Sequence, residues 1–370
     1  MNLINKDIQS NQVPKLRFPE FEGEWKIDKL VNFSTLQRGF DLTKATRNEG
    51  EYPVYSSSGI AYYHSEYKTM GPGIVTGRKG IIGKVFYVEG NFWPHDTTLW
   101  VNDFHGNYPN FVYWFLITLK LEKHDASTSV PTLNRNNIHG IKISFPTLPE
   151  QQKIAAFLSA VDKKIEQLTC KKELLEKYKK GVMQKIFSQE IRFKDENGKD
   201  YPDWEEKRLG DICKIRTGKL DANAMKENGQ YRFYTCAKEF YMIDDFAFNT
   251  EALLVSGNGA NVGYIHYYKG KFNAYQRTYV LDQFIEIIQF IKRYLEKYLA
   301  ERINREKNDG NTPYITLSTL SDMMIRLPKK EEQKIIASFL SNLDKKIEAI
   351  QHKITKTQAF KKGLLRQMFV

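Results

Sequence analysis

Residues 150–187 read EQQKIAAFLSAVDKKIEQLTCKKELLEKYKKGVMQKIF, and residues 332–369 read EQKIIASFLSNLDKKIEAIQHKITKTQAFKKGLLRQMF. They align without a gap at an offset of 182, with 17 identities in 38 positions. Phe157/Phe339, Asp162/Asp344, Ile165/Ile347 and Gly181/Gly363 are among the identities. In both stretches apolar residues recur at alternating steps of four and three, the heptad period of a coiled coil. They fall at Ile154, Leu158, Val161 and Ile165 in the first, and at Ile336, Leu340, Leu343 and Ile347 in the second. Each stretch predicts a helix of about 55 Å at ~1.5 Å per residue. Neither has a sequential neighbour of similar length, so each helix is expected to pack on the other. Lys172, Lys179 and Lys361 interrupt the seam, and their aliphatic stems are expected to snorkel past the partner. Pro149 and Pro328 mark the helix starts, where Glu150, Glu331 and Glu332 suit the positive end of the dipole. The repeated interior glycines, Gly181 and Gly363, suggest close helix approach, with a kink as the alternative.

The duplication extends upstream. Trp25 and Leu30 match Trp204 and Leu209 at an offset of 179, as Gly39 matches Gly218. Val75-Thr-Gly77 matches Val255-Ser-Gly257 at an offset of 180. Pro131, Ile138, Ile141 and Ile143 match Pro313, Leu320, Met323 and Ile325. The chain therefore reads as one unit written twice, in the order 1–147, 148–190, 191–327 and 328–370. Segments 148–190 and 328–370 are the helices. The other two are variable regions of mixed α/β character. Each has a Gly-rich hairpin (73–89 and 251–268) and a helical stretch (108–122 and 282–305). The expected class is α+β with a pseudo-twofold internal repeat.

A chain of 370 residues has room for two or three domains. Its formal charge of +12 favours a polyanionic partner. The charge is unevenly placed: segments 1–147 and 191–327 carry only +2 and +1, whereas 148–190 and 328–370 carry +3 and +6. Cys170, Cys213 and Cys236 form no CxxC pair and no metal-ligand spacing, which predicts a reduced, cytoplasmic setting and no metal. No run of about 18 apolar residues predicts a membrane span. Motifs of chemistry are missing too. There is no Walker A loop and no NPPY-like loop for a flipped adenine. The nuclease-like ExK occurs four times, close to expectation in a chain with 27 % charged residues. No cofactor and no catalytic residue are predicted.

The ordered set of elements has a counterpart. A Trp…Leu…Gly opening leads to a Gly-rich hairpin, an exit reading PTLNRNNI…IKISFPTLPEQQKIAAFLSAVDKKIE, and a helix end reading KKGVMQKIF. Taken twice, this resembles the specificity (S) subunit of type I restriction–modification systems over essentially the whole chain. The resemblance implies two target-recognition domains, each reading half of a bipartite double-stranded DNA sequence. It implies two helices packed as an antiparallel coiled coil that fixes the gap. It also implies two modification (M) subunits as partners, which methylate adenine, and restriction (R) subunits in the full complex. The S subunit itself would be non-catalytic.

Base readout needs forked cations and amides at groove edges. In the first variable region the candidates are Arg38, Arg47, Thr76, Arg78 and Lys79, the last three around a Gly-rich loop. In the second they are Arg216, Lys219, Asn258, Asn261 and Arg277. Two other classes compete: a coiled-coil scaffold whose variable domains bind protein, and an enzyme with an unrecognised site.

Overall fold

A computed structural model describes residues 13–125, 130–306 and 314–370. Pro313, matched above with Pro131, lies outside them. Contacts group the chain into two units, residues 1–169 with 351–370, and residues 170–350. Each unit thus holds one variable region and a segment of both long helices.

The first unit runs β1 (Lys26–Lys29), α1 (Leu30–Phe33), β2 (Thr35–Arg38), β3 (Tyr52–Ser56), β4 (Gly59–His64), β5 (Gly73–Gly77), β6 (Val85–Val88), β7 (Trp93–Pro94), β8 (Thr98–Asp103), α2 (Pro109–Thr118), α3 (Arg135–His139), β9 (Lys142–Phe145) and the start of α4 (Leu148–Phe187). Its sheets are β2-β8-β5-β6, β4-β3-β7 and the pair β1-β9. Helix α2 is apolar on most sides and buries Phe111, Val112, Trp114, Phe115 and Leu116. That core takes in Ile154, Leu158 and Val161 of α4, together with Leu364, Met368 and Phe369 from the chain's end.

The second unit runs β10 (Glu205–Arg208), α5 (Leu209–Ile212), β11 (Lys214–Thr217), β12 (Tyr231–Tyr234), β13 (Tyr241–Ile243), β14 (Phe248–Ser256), β15 (Ile265–Ala274), β16 (Thr278–Asp282), α6 (Ile288–Glu306), α7 (Leu317–Ser321), β17 (Met324–Leu327) and α8 (Lys330–Gln367). Its main sheet has the order β11-β16-β14-β15-β12-β13. The path matches the first unit: a hairpin joins by a parallel pairing, β3 on β7 there and β12 on β15 here. The difference is one of continuity, because β15 runs unbroken where β6 and β7 are separate strands. The helix expected from residue 282 begins at Ile288, because Asp282 is held in β16 opposite Lys214 and Ala252.

The long helices pack in each unit as the N-terminal part of one against the C-terminal part of the other, which is the antiparallel arrangement. Ile154, Leu158, Val161, Ile336, Leu340 and Leu343 are buried, and Ile165 and Ile347 are half-buried. Two of the lysines that break the seam do more than snorkel. Lys361 pairs with Asp162 at 2.6 Å in the first unit, and Lys179 pairs with Asp344 at 2.5 Å in the second. These are the same two sequence positions used reciprocally. The glycine expectation fails: a Cβ on Gly181 or Gly363 would meet no atom within 4 Å, so neither permits a close approach in this chain.

The helix starts carry a second repeated device. Glu150 and Glu332 are buried, so they do more than complement the dipole. Glu150 accepts from Arg17 at 2.8 Å and from the Trp25 indole at 3.2 Å. Glu332 accepts from Arg192 at 2.8 Å. The next residue ties each helix to its own domain. Gln151 donates to the Pro146 carbonyl and accepts from the Tyr108 N–H. Gln333 does the same with Pro328 and Ile287. Phe18 and Phe193, each following its arginine, then meet Phe157 and Phe339 edge-on or tilted, at 5.7 and 5.6 Å. A charge buried this deeply is tolerated only when paired. The node therefore fixes how each long helix leaves its variable region.

Candidate nucleic-acid interface

In the first unit the ends of β2, β5 and β8 converge. Gly39, next to Arg38, allows the contact: a Cβ there would lie 2.1 Å from the His95 carbonyl. The β5 loop is laced to its neighbour, with the N–H groups of Arg78 and Lys79 donating to the Thr97 carbonyl at 2.8 and 3.1 Å. Leu133 N–H then donates to the Arg78 carbonyl at 2.8 Å. Asp96 sits at the centre. It pairs with Arg38 at 3.0 Å, while its carbonyl accepts from the Arg78 guanidinium at 3.1 Å. Lys79 is exposed beside them. Asp41, His95 and Asp96 bring ligand atoms within 4.8 Å of one another, but Asp96 is already engaged by Arg38.

The second unit builds the same frame. A Cβ on Gly218 would lie 1.8 Å from the Ala274 carbonyl. Gly257 N–H donates to the Arg277 carbonyl at 2.8 Å, and Ile315 N–H to the Gly257 carbonyl at 2.7 Å. Lys219 and Arg277 are exposed at this end, and Asn258 is half-buried. These bonds correct the alignment of the two hairpins. Val75 lies opposite Trp100, and Leu254 opposite Val280, so β5 and β14 match at an offset of 179 and not 180. Arg78 therefore takes the place of Gly257. Lys79 takes the place of Asn258, each bridged to the equivalent residue near the start of the exit segment, Thr132 or Tyr314. A slip of one residue would have exchanged the two faces of the strand.

The structure removes several expected contacts from this end. Thr76 is fully buried inside β5 and presents no group to a groove. Arg47 lies on the Tyr62 ring at 3.4 Å, towards the far end of the β3–β4 hairpin from its Ser56–Gly59 turn. Arg216 forms an ion pair with the buried Asp282 and lies over the Phe248 ring, because a carboxylate at 1 % exposure needs a cation. Asn261 spends its amide on the Cys236 carbonyl at 3.1 Å. Sequence reasoning missed the turn that carries this carbonyl, between β12 and β13, where Lys238 and Glu239 are exposed. Cys213 supports no nucleophilic role, since burial, aided by Asp282, pushes its thiol up to about 12.

The family profile described as the type I restriction modification DNA specificity domain matches residues 22–177 and again 201–358. The chain belongs to that family. Specificity subunits are the non-catalytic members of type I systems, which fits the doubled specificity domain. The EcoDI specificity subunit of Escherichia coli is 38 % identical over 42 % of this chain, a stretch covering 35 % of that relative. The putative type I specificity subunit S.MpnORF507P of Mycoplasma pneumoniae is 26 % identical over 85 % of this chain and 88 % of its own. The crystal structure of an S subunit from M. genitalium shares the fold, with a TM-score of 0.68 and 20 % identity over 97 % of this chain and 99 % of that one. No helix among the described residues is long and apolar enough to cross a membrane.

Proposed function

We propose that each unit reads one half of a bipartite double-stranded DNA target through its converging loops, within a cytoplasmic type I complex. The observation that carries this is the pair of matched frames holding unmatched side chains. Arg78 and Lys79 stand where the other unit has Gly257 and Asn258, so one scaffold presents two chemistries. In this reading Arg38, Arg78 and Lys79 serve one half-site, and Lys219, Asn258 and Arg277 the other. An Arg fork suits guanine and an Asn amide suits adenine. The antiparallel helices set the gap, as dimer geometry sets half-site spacing in other DNA binders. Two M subunits supply adenine methylation, and R subunits join for cleavage. The segments 1–147 and 191–327 act as the readers, and 148–190 and 328–370 as the spacer.

The test is co-expression with the cognate M subunit, followed by genome-wide mapping of modified bases. A split motif is expected. Exchanging residues 73–90 for those of another specificity subunit should change one half-site and leave the other fixed. The absence of a split motif refutes the proposal.

A further inference from the structure

The turn between β12 and β13, Cys236–Phe240, is anchored on three sides. Asn261 Nδ2 donates to the Cys236 carbonyl at 3.1 Å. His266 Nε2 donates to the Ala237 carbonyl at 2.9 Å. Phe240 closes the turn by stacking at 4.2 Å on the Arg232 guanidinium, which also lies 4.6 Å from the Tyr268 ring and donates to the Tyr234 hydroxyl at 3.4 Å. Cys236 Sγ donates in turn to the Arg277 carbonyl at 3.4 Å, which ties the turn to the loop that holds Gly257. Between the anchors the charged side chains of Lys238 and Glu239 are exposed to solvent. The equivalent hairpin of the first unit closes tightly from Ser56 to Gly59 and carries no charge there.

We infer that the Cys236–Phe240 turn is a base-reading element of the second unit, with Lys238 and Glu239 as the reading groups. Asn261 and His266 are positioning residues. The inference rests on the reading of this end as the DNA face. Ordering a five-residue turn costs conformational entropy, and anchoring it through half-buried amide and imidazole groups removes that cost from binding. A lysine donates to guanine O6 or N7, and a carboxylate accepts from cytosine N4, so the pair suits one G·C step. Asn261 thus contributes to specificity through the backbone it holds rather than by touching a base.

The experiment maps modified bases in cells that express the M subunit with the wild-type chain, Lys238→Ala or Asn261→Ala. Lys238→Ala should relax one position of one half-site, with discrimination at that base falling about tenfold. Asn261→Ala should relax the same position. The other half-site, still read in the same molecules, reports that the variant chain is folded and assembled. A split motif left unchanged by both variants overturns this inference and leaves the proposed function standing. Relaxation of the opposite half-site also overturns it. A wild-type chain that yields no split motif overturns both.

Discussion

Asp344 and Asp162 occupy equivalent positions on the two helices, yet their removal should have unequal cost. Among the described residues Asp162 pairs only with Lys361, and the two side chains are 40 % and 24 % exposed. Such a pair contributes about 0–1 kcal/mol. Asp344 pairs with Lys179 and also with Arg293, whose side chain is 6 % exposed. After Asp344→Ala, Arg293 keeps Glu296 as its only carboxylate among the described residues, where its Nε already lacks a partner. Lys179 can swing into water, but Arg293 cannot. A lost hydrogen bond to a buried charge costs about 1.5–3 kcal/mol, so Asp344→Ala should cost roughly 2–3 kcal/mol and Asp162→Ala less than about 1. For a unit of this size the first is a fall in Tm of about 4–12 °C. Thermal melting of the full chain, read by circular dichroism, compares the two variants. The double variant Arg293→Met, Asp344→Ala should recover part of the loss, because it replaces the orphaned cation with an apolar side chain. Equal losses in the two single variants, or no recovery in the double one, would refute the assignment of the difference to Arg293.

Three further outcomes follow from the same geometry. Gly181→Ala and Gly363→Ala should each stabilise the isolated chain by about 0.5–1 kcal/mol, since both sit inside helices with open space at the missing Cβ; a drop in melting temperature would show that the space is not open. His139 accepts the Leu36 N–H at 2.9 Å, and burial lowers its pKa from 6.5, as it does for His266. The unfolded chain therefore takes up these protons first, so their contribution is complete above pH 6.5 and is lost as pH falls below that value. Chemical denaturation across that window should show declining stability, with a shallower decline in His139→Gln; a rise on acidification contradicts it. Under native conditions a maleimide should label exposed Cys170 and spare Cys213 until the chain unfolds, with the site read by peptide mass.

The duplicated helices were legible because their identity is dense and gapless. The heptad positions alone brought Ile154, Leu158, Ile336 and Leu340 into the cores. The Arg17 and Arg192 nodes escaped the same search. Arg17 precedes its tryptophan by eight residues and Arg192 by twelve, so a gapless comparison breaks there. The Arg-Phe dipeptide shared by the two positions was the available signal. The pairing of Lys179 with Asp344 was half visible, since both aspartates lay among the identities, but the cross-helix register was not. The contact loops were hardest. A V-x-G triplet suggested an offset of 180, whereas strand pairing imposes 179. Local residue type also could not reveal that Arg216 is spent on Asp282, because that carboxylate is 66 residues away in the chain.

The placement of charge separates two tasks that a DNA-binding chain must perform. In the proposed reading, ends built on segments of +2 and +1 gain little from diffuse attraction. Within them, Arg216 is further occupied by the buried Asp282. What remains at the proposed reading ends is a small set of positioned groups, which suits discrimination more than grip. On the helices Lys179 and Lys361 are consumed by cross-helix pairs, and Lys172 by Glu176. Lys163, Lys164, Lys345, Lys346, Lys353 and Lys362 are exposed and form no ion pair among the described residues. Cations that face water without partners are the ones able to release counterions when a phosphate backbone approaches. Replacing Lys163 and Lys164 by Gln should therefore flatten the salt dependence of DNA binding by the assembled complex while leaving the methylated motif unchanged. Lys79→Ala should do the reverse, altering the motif at one half-site with little change in salt slope. If both pairs of measurements moved together, the division between a basic spacer that holds DNA and near-neutral ends that read it would be wrong.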